Sequence, residues 1–386
     1  MVQVLGMSIA HVFRWLLVIA FIAIAGCVPP PEYMAKTGKR IGLDNDYIKV
    51  LLLRDQLKVE VVTTAKTKVI QLGNNTIVYN GDGKRFVLFD NQLTQPLQFE
   101  AWNNEIVVNG LTVRGMIQLH PIVGKIQVVN VLKMNEYLYG VLPSEIMPGW
   151  PEEVLKAQAV AARTYAYYHL MKNNSTYFDL DATNNFQVYK GKAVETQTTN
   201  KAVDSTAGII MTYSNKPILA YFHSTCGGKT TDDNYVWQGE DLPYLVSVVC
   251  PYCKNSPNYS WQVELTLNEI YEALVKKYKA VGKIKAITLG RQDTRVTVVK
   301  IEHANGIIRM SGNDFRLMFD AKKIKSLYFE AKQTQAGLIL TGHGWGHGVG
   351  MCQWGAKEMA QQGMRFDQIL KFYYRGIQIM TYSIQK

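Results

Sequence analysis

The stretch GVLPSEIMPGWPEEVLKAQAVAARTYAYYH, residues 140–169, marks a change of period in the chain. Upstream, apolar residues alternate over short runs; here Leu155, Ala159, Ala162, Ala166 and Leu170 recur at steps of three or four, which predicts a helix. Pro151 suits the first helical position, and Glu152 and Glu153 stand in the first turn, where the macrodipole favours anions. The small side chains of the stripe imply close packing on another element, and Lys172-Asn173-Asn174 ends the helix. Two of the three carboxylates in the stretch therefore have a structural role. Glu145 has none of this kind. It lies before Pro148 and Gly149, off the helix, next to the apolar run YLYGVLP. Desolvation there raises a carboxyl pKa toward the range of a general acid, whereas a nearby helix N-terminus pushes it down.

Working outward, residues 46–135 read as strands. YIKVLLL, LKVEVVT, TKVIQL, TIVYN, RFVLF and IVVNGLTV are short runs rich in β-branched and aromatic residues, separated by turn signals such as GNN (73–75) and GDG (81–83). That spacing suits antiparallel sheet rather than βαβ units. Downstream, LTLNEIYEALVKKY (265–278) predicts a helix with Asn268 as cap. KIKAITL, RVTVVKIEH and GIIRMSG then predict strands, and QWGAKEMAQQG and FDQILKFYYRG predict helices closed by glycine. The expected fold class is α+β, with mixed sheets and a few helices. It has a β-rich N-terminal part and a core that carries a glycine-rich C-terminal loop.

The chain of 386 residues carries 42 Lys and Arg against 31 Asp and Glu, a net charge of +11. Such an excess suits an anionic partner: nucleic acid, an acidic membrane surface or an acidic polysaccharide. The N-terminus predicts export. Arg14 precedes an apolar run from Trp15 to Ala25, too short to span a bilayer, followed by Gly26 and Cys27. The ending IAGC looks like a lipobox, with Cys27 as the lipidated first residue of the mature protein; the alternative is an uncleaved anchor. The expected organisation is a lipoprotein signal peptide (1–27), a tether (28–45), a β-rich region (46–110) and a catalytic core (111–386).

Two constellations could carry chemistry. His223-x2-Cys226 in YFHSTCGG and Cys250-x2-Cys253 in CPYC pair soft ligands at the spacing a tetrahedral zinc site takes from two facing loops. The alternative in an exported protein is a Cys250–Cys253 disulfide, with His223 independent. The second is TGHGWGHGVGMCQWGA (341–356), where five glycines in nine positions exclude a stable helix. His343 and His347 are therefore not the paired ligands of a helical zinc protease. They flank Trp345 in a loop whose backbone approaches something closely, either a ligand or a packed neighbour. The chain contains 22 Tyr and 7 Trp, among them Tyr165, Tyr221, Trp237 and Trp345 near these segments, and such rings stack on sugar faces as well as fill cores. No P-loop, dinucleotide fingerprint or G-x-S-x-G elbow occurs.

Taken together, EYLYGVLPSEIMPGWPEEVLKAQAVAARTYA (136–166), FQVYKG (186–191), HSTCGGKT with VWQGEDLPYLVSV (223–248), GNDFRLMF (312–319) and GHGWGHGVGMCQWGA (342–356) resemble the stage II sporulation protein D family, which includes amidase-enhancer proteins. The resemblance implies a peptidoglycan lytic transglycosylase acting on glycan strands, preferentially those stripped of stem peptides. Its catalytic glutamate would be Glu145, in PSE. Arg163, Tyr165, Gln187, Ser224, His343, His347 and Gln353 are expected around the substrate. His223, Cys226, Cys250 and Cys253 are the metal ligands expected from their spacing, and zinc in some relatives adds weight to that reading. The implied partners are glycan strands, a cell-wall amidase and, through a lipid anchor, a membrane, with no nucleic acid. Two positions depart from the pattern: Phe186 where relatives often have cysteine, and Cys352 where serine is usual. Cys352 would serve as an extra zinc ligand or remain a free thiol. The alternative reading is a non-catalytic lipoprotein that binds denuded glycan and activates an amidase.

Overall fold

Alternating Val, Leu and Ile in the first third of the chain find antiparallel partners far along the sequence. In the computed structural model, which describes residues 47–381 except 173, 174, 176, 184, 185, 238, 240 and 321, these runs build two sheets. The expected signal peptide, Cys27 and the whole of the expected tether lie outside the described residues. The larger sheet runs, in order, through Leu180–Asp181, Tyr47–Gln56, Ile126–Lys133, Met116–Pro121, Leu97–Ala101, Thr67–Gln71 and Thr76–Gly81. All neighbours in it are antiparallel except the first pair. The smaller sheet joins Arg85–Phe89, Lys58–Val62, Ile106–Val108 and Leu111–Val113. The run IVVNGLTV is a hairpin rather than one strand. Asn109 and Gly110 both take positive φ (45° and 83°), the conformation of a type I′ turn.

The boundary expected at residue 110 does not separate two sheets, because Tyr47–Gln56 is zipped to Ile126–Lys133 along nearly its whole length. The latter strand is buried at every position but its last and leads straight into helix α1, Met134–Glu145. Helix α2, Glu152–Lys172, follows. Its middle is buried on all sides, from Val154 to Tyr167 with only Lys156 partly out, rather than along one stripe. A helix surrounded in this way must be apolar or small-chained around its circumference, which is what its alanines provide. Helix α3, Gln197–Ser205, packs against α1 and α2.

A second hydrophobic core lies within the expected single catalytic core. The sheet Ser260–Thr266, Gly337–His343, Phe329–Gln333 and the three-stranded meander Ile284–Gln292, Arg295–His303, Gly306–Ser311 enclose it. Helices α4, Leu267–Val275, and α5, Gly312–Leu317, complete it, around Leu265, Ile270, Val299, Phe315, Phe329 and Leu340. Thr266, not Asn268, caps α4: its hydroxyl accepts from the Glu269 amide, and Glu269 answers in a capping box. The chain then returns to the first core through helices α6, Gln353–Gln361, and α7, Phe366–Tyr373, both packed on α2. The fold is α+β, as the sequence predicts.

Candidate active site

Glu145 is the last residue of α1, where Ile146 turns the chain out of the helix with extended backbone. The helix C-terminus carries partial negative charge and disfavours a second anion there. Burial acts in the same direction. The Glu145 carboxyl is pushed above its ordinary value by desolvation, which the Val188 amide and the charge of Lys190 only partly oppose. One carboxylate oxygen, Oε1, accepts from that amide at 3.0 Å, which fixes the side chain. Glu152 and Glu153 have the structural roles expected of them. Glu152 pairs with Lys156 and Lys201, and Glu153 with Lys156 and the Phe366 amide.

A cavity of about 390 Å³ opens in front of Glu145, lined also by Tyr165, Phe186, Gln187, Val188, Tyr221, Phe222, Trp237 and His347. Tyr165 reaches it from α2. Tyr221 and Trp237 stack at 4.6 Å with 29° between planes, and Trp237 lies 5.0 Å from the His347 ring. His347 uses both ring nitrogens on backbone. Nε2 donates to the Phe222 carbonyl at 2.9 Å, and Nδ1 accepts from the Val349 amide at 3.1 Å. That pattern fixes one neutral tautomer, and burial lowers the imidazole pKa to about 4. His347 is a neutral wall of the cleft.

The glycines of the loop permit this approach. Gly346 and Gly350 take φ of 111° and 69°; a Cβ on Gly350 would stand 2.1 Å from the Tyr221 carbonyl oxygen, and one on Gly346 2.8 Å from the His223 Cβ. What the loop packs against is therefore the segment that carries Tyr221 and His223.

Of the expected substrate residues, Tyr165, Gln187 and His347 line the cleft with Glu145. Gln187 is spent inside the protein, accepting from Tyr137 Oη at 3.2 Å and donating to the Ala162 carbonyl at 3.4 Å. Gln353 sits behind the cleft and donates to the Glu145 carbonyl at 2.8 Å. Arg163, Ser224 and His343 are not among the residues that line it. The Arg163 guanidinium is 1% exposed and bonded to Thr206, Ile209, Asn135 and Val203, so it braces helices rather than meeting substrate. Ser224 offers its carbonyl to the Trp354 amide, and His343 packs against Tyr328 and Tyr259. The aromatic wall of Tyr221 and Trp237 was signalled only by its density of rings near the motifs, not by spacing.

Four buried cysteines converge nearby. The Sγ atoms of Cys226, Cys250, Cys253 and Cys352 all lie within 4.8 Å of one another, none joined in a disulfide. His223, expected as a ligand, is not in this cluster, whereas Cys352 is. His223 Nδ1 donates to the Val349 carbonyl at 3.0 Å, and its ring stands 5.4 Å from that of His347.

The family model described as Stage II sporulation protein matches residues 123–213, and a model for a domain of unknown function matches 252–350, the segment of the second core. Among relatives, an uncharacterized protein of Brachyspira hyodysenteriae is 40% identical over 283 residues, covering 72% of this chain and 74% of the relative. Stage II sporulation protein D of Bacillus subtilis is 36% identical over 271 residues, covering 66% of this chain and 76% of the relative. A protein named amidase enhancer, also from Bacillus subtilis, is 29% identical over 295 residues, covering 64% of this chain and 40% of that protein. With the family model spanning Glu145 and relatives named stage II sporulation protein D at 35–36% identity over three quarters of their length, the chain belongs to the stage II sporulation protein D family.

Proposed function

We propose that the protein is a lytic transglycosylase that cleaves peptidoglycan glycan strands, preferentially those without stem peptides, with Glu145 as acid and then base. Family membership and the likeness to a protein named amidase enhancer support a cell-wall role. The finer reading rests on one observation: among the described residues lining the cleft, Glu145 is the only carboxylate, and burial favours its protonated form. Hydrolytic glycosidases need a second carboxylate to activate water or to attack the sugar. Asp179 holds the Lys49 amide, Asp181 binds Arg54 and Thr183, and Asp232 holds the Ser247 amide; neither these nor Asp233 lines the cleft.

A single group suffices when the nucleophile belongs to the substrate. Glu145 gives its proton to the glycosidic oxygen as the bond to C1 breaks. The C6 hydroxyl of the same muramic residue then closes on C1, and Glu145 takes the hydroxyl proton. No water is consumed, and the product end is a 1,6-anhydro sugar. Tyr221 and Trp237 offer faces for sugar rings, and the net charge of +11 suits strands bearing lactyl carboxylates. The protein would work outside the cytoplasm, held through lipidated Cys27; a Cys27→Ala variant should leave the membrane fraction.

The test is mass spectrometry of peptide-free strands after incubation with purified protein. Anhydromuramic ends that form with the wild type and vanish with Glu145→Gln support the reading. Strands bound but uncleaved by both would instead favour a glycan-binding amidase activator, the role that the amidase enhancer's name suggests for that relative.

A further inference from the structure

We propose that Cys226, Cys250, Cys253 and Cys352 hold one zinc ion as a tetrathiolate, and that this ion clamps the back wall of the Glu145 cleft. The four thiols come from three separate segments. Cys226 follows the strand Phe222–His223, Cys250 and Cys253 flank the first turn of the 3-10 helix Pro251–Asn255, and Cys352 caps α6. All four are at most 1% exposed. Bound to zinc at about 2.3 Å, four sulfurs at tetrahedral corners stand about 3.8 Å apart. The observed cluster spans the same scale, from 3.4 Å between Cys226 and Cys253 up to a limit of 4.8 Å. Sulfurs this close suit one metal ion rather than an iron–sulfur cube, which holds its four thiolates farther apart.

The surroundings are those an anionic centre requires. Cys352 Sγ accepts from the Gly355 amide at 3.4 Å and from the Cys226 amide at 3.3 Å, the first of these at the N-terminus of α6, whose dipole favours a thiolate. Tyr373 Oη lies 3.2 Å from Cys250 Sγ. Independently, Arg295 is 1% exposed, lies 4.6 Å over the Tyr328 ring and is bonded to the backbone of Cys226. Its Nη2 donates to the Lys229 carbonyl at 2.6 Å and the Cys226 carbonyl at 3.4 Å, while Nη1 has no partner among the described residues. The neighbouring Asp293 is already paired with Lys229. A nearby counter-charge stabilises a buried guanidinium of this kind. Four thiolates around a divalent ion carry a net charge of −2, which supplies it.

The clamp follows from connectivity. Strand Phe222–His223 pairs in parallel with Met351–Cys352, so Cys226 and Cys352 close off both chains of that pair. One strand carries Phe222 of the cleft wall and continues from Tyr221. The other leads directly to Gln353, which holds the Glu145 carbonyl. The ion would fix Glu145 against its wall and touch no substrate. This last step rests on the proposed function; metal binding does not.

The test starts with elemental analysis of the full-length protein purified without added metal. The expected result is about one zinc per chain, with the four thiols unreactive until the metal is removed. Replacement by cobalt should give the strong thiolate charge-transfer absorption of an all-sulfur site. Cys352→Ser should drop zinc below about a tenth per chain, whereas His223→Ala should retain it. Because Cys352→Ser could also fail to fold, wild-type protein is stripped with a chelator and reloaded. Tm and the rate of anhydro-end formation should fall together and recover with zinc. Disulfides mapped among the four cysteines, four reactive thiols in metal-free folded protein, or iron in place of zinc would overturn the site. Zinc lost from His223→Ala to the same extent would overturn the tetrathiolate set. Unchanged cleavage by stripped protein would overturn the clamp, and zinc without cleavage by any form would count against the proposed function alone.

Discussion

Gln353 Nε2 donates to the backbone carbonyl of Glu145 at 2.8 Å, joining residues 208 positions apart. The same nitrogen lies 3.2 Å from Gln158 Oε1 on α2, so the glycine loop, the central helix and the end of α1 meet at one amide. That carbonyl is among the last of α1, which the helix itself leaves unpaired. Gln353→Leu should strand it, at a cost of about 1–3 kcal/mol. It should also let Glu145 drift, lowering the turnover rate about 10–100-fold with a smaller loss of strand affinity. Thermal melts beside binding and cleavage assays separate these effects. Equal losses in affinity and rate would mean that Gln353 meets the substrate itself.

Glu145→Gln should lower cleavage by at least about 10²–10⁴-fold and yet stabilise the protein at neutral pH. The folded-state pKa of Glu145 is raised above its ordinary value of 4.5. Below that value, both folded and unfolded chains hold the proton and the carboxyl costs nothing. Between it and the raised value, only the folded chain holds it, so stability falls as pH rises. Above the raised value the cost is complete. Glutamine avoids the cost and can still accept from the Val188 amide. The difference in Tm between variant and wild type should be small at acid pH, grow through this window and then stay level. A difference independent of pH would mean that Glu145 titrates normally.

As a candidate, Glu145 was legible in the sequence because it could be reached by elimination: Glu152 and Glu153 had a helix turn to explain them. Its position was not. The apolar run before it reads equally as strand, loop or helix, and only tertiary packing makes it α1, despite Pro143 in the last turn. Arg163 misled for a related reason. A basic residue near a catalytic motif suggests an anion, but sequence does not reveal that α2 is enclosed on every side. The second core was hidden because its strands and short helices have the same local signals as the first, and only pairing distinguishes them. Cys352 stood where the resemblance expected serine, about a hundred residues from its partners, beyond any local spacing rule.

Lys190 offers a way to move the acid without touching it. Its charge lowers the Glu145 pKa, and it lies exposed two residues beyond the Val188 amide. Cleavage requires protonated Glu145 at the start of the cycle, so the rate falls as pH rises through that pKa. Lys190→Met removes the attraction that favours the carboxylate, and the falling limb of the pH–rate profile should move to higher pH. Salt should shrink the difference between the two proteins, because an exposed charge is screened. A limb that does not move, or moves to lower pH, would assign it to another group.

Arg163→Met separates bracing from recognition. The guanidinium reaches Thr206 Oγ1 at 3.4 Å and the Ile209 carbonyl at 3.3 Å through Nη1, and Asn135 Oδ1 at 3.3 Å and the Val203 carbonyl at 3.0 Å through Nη2. These partners lie on α1, on α3 and just beyond α3, so one side chain ties α2 to both helices. Burial lowers its pKa to about 10, still far above neutrality, and it remains a cation at working pH. Methionine fills much of the volume but leaves the acceptors unpaired, which should cost about 2–4 kcal/mol. Lysine, with a compact ammonium, cannot match the planar fork and should fall between the two. Urea titration measures the loss, and KM for glycan strands, taken per folded molecule, should be unchanged in both variants. A rise in KM with normal stability would return Arg163 to the substrate.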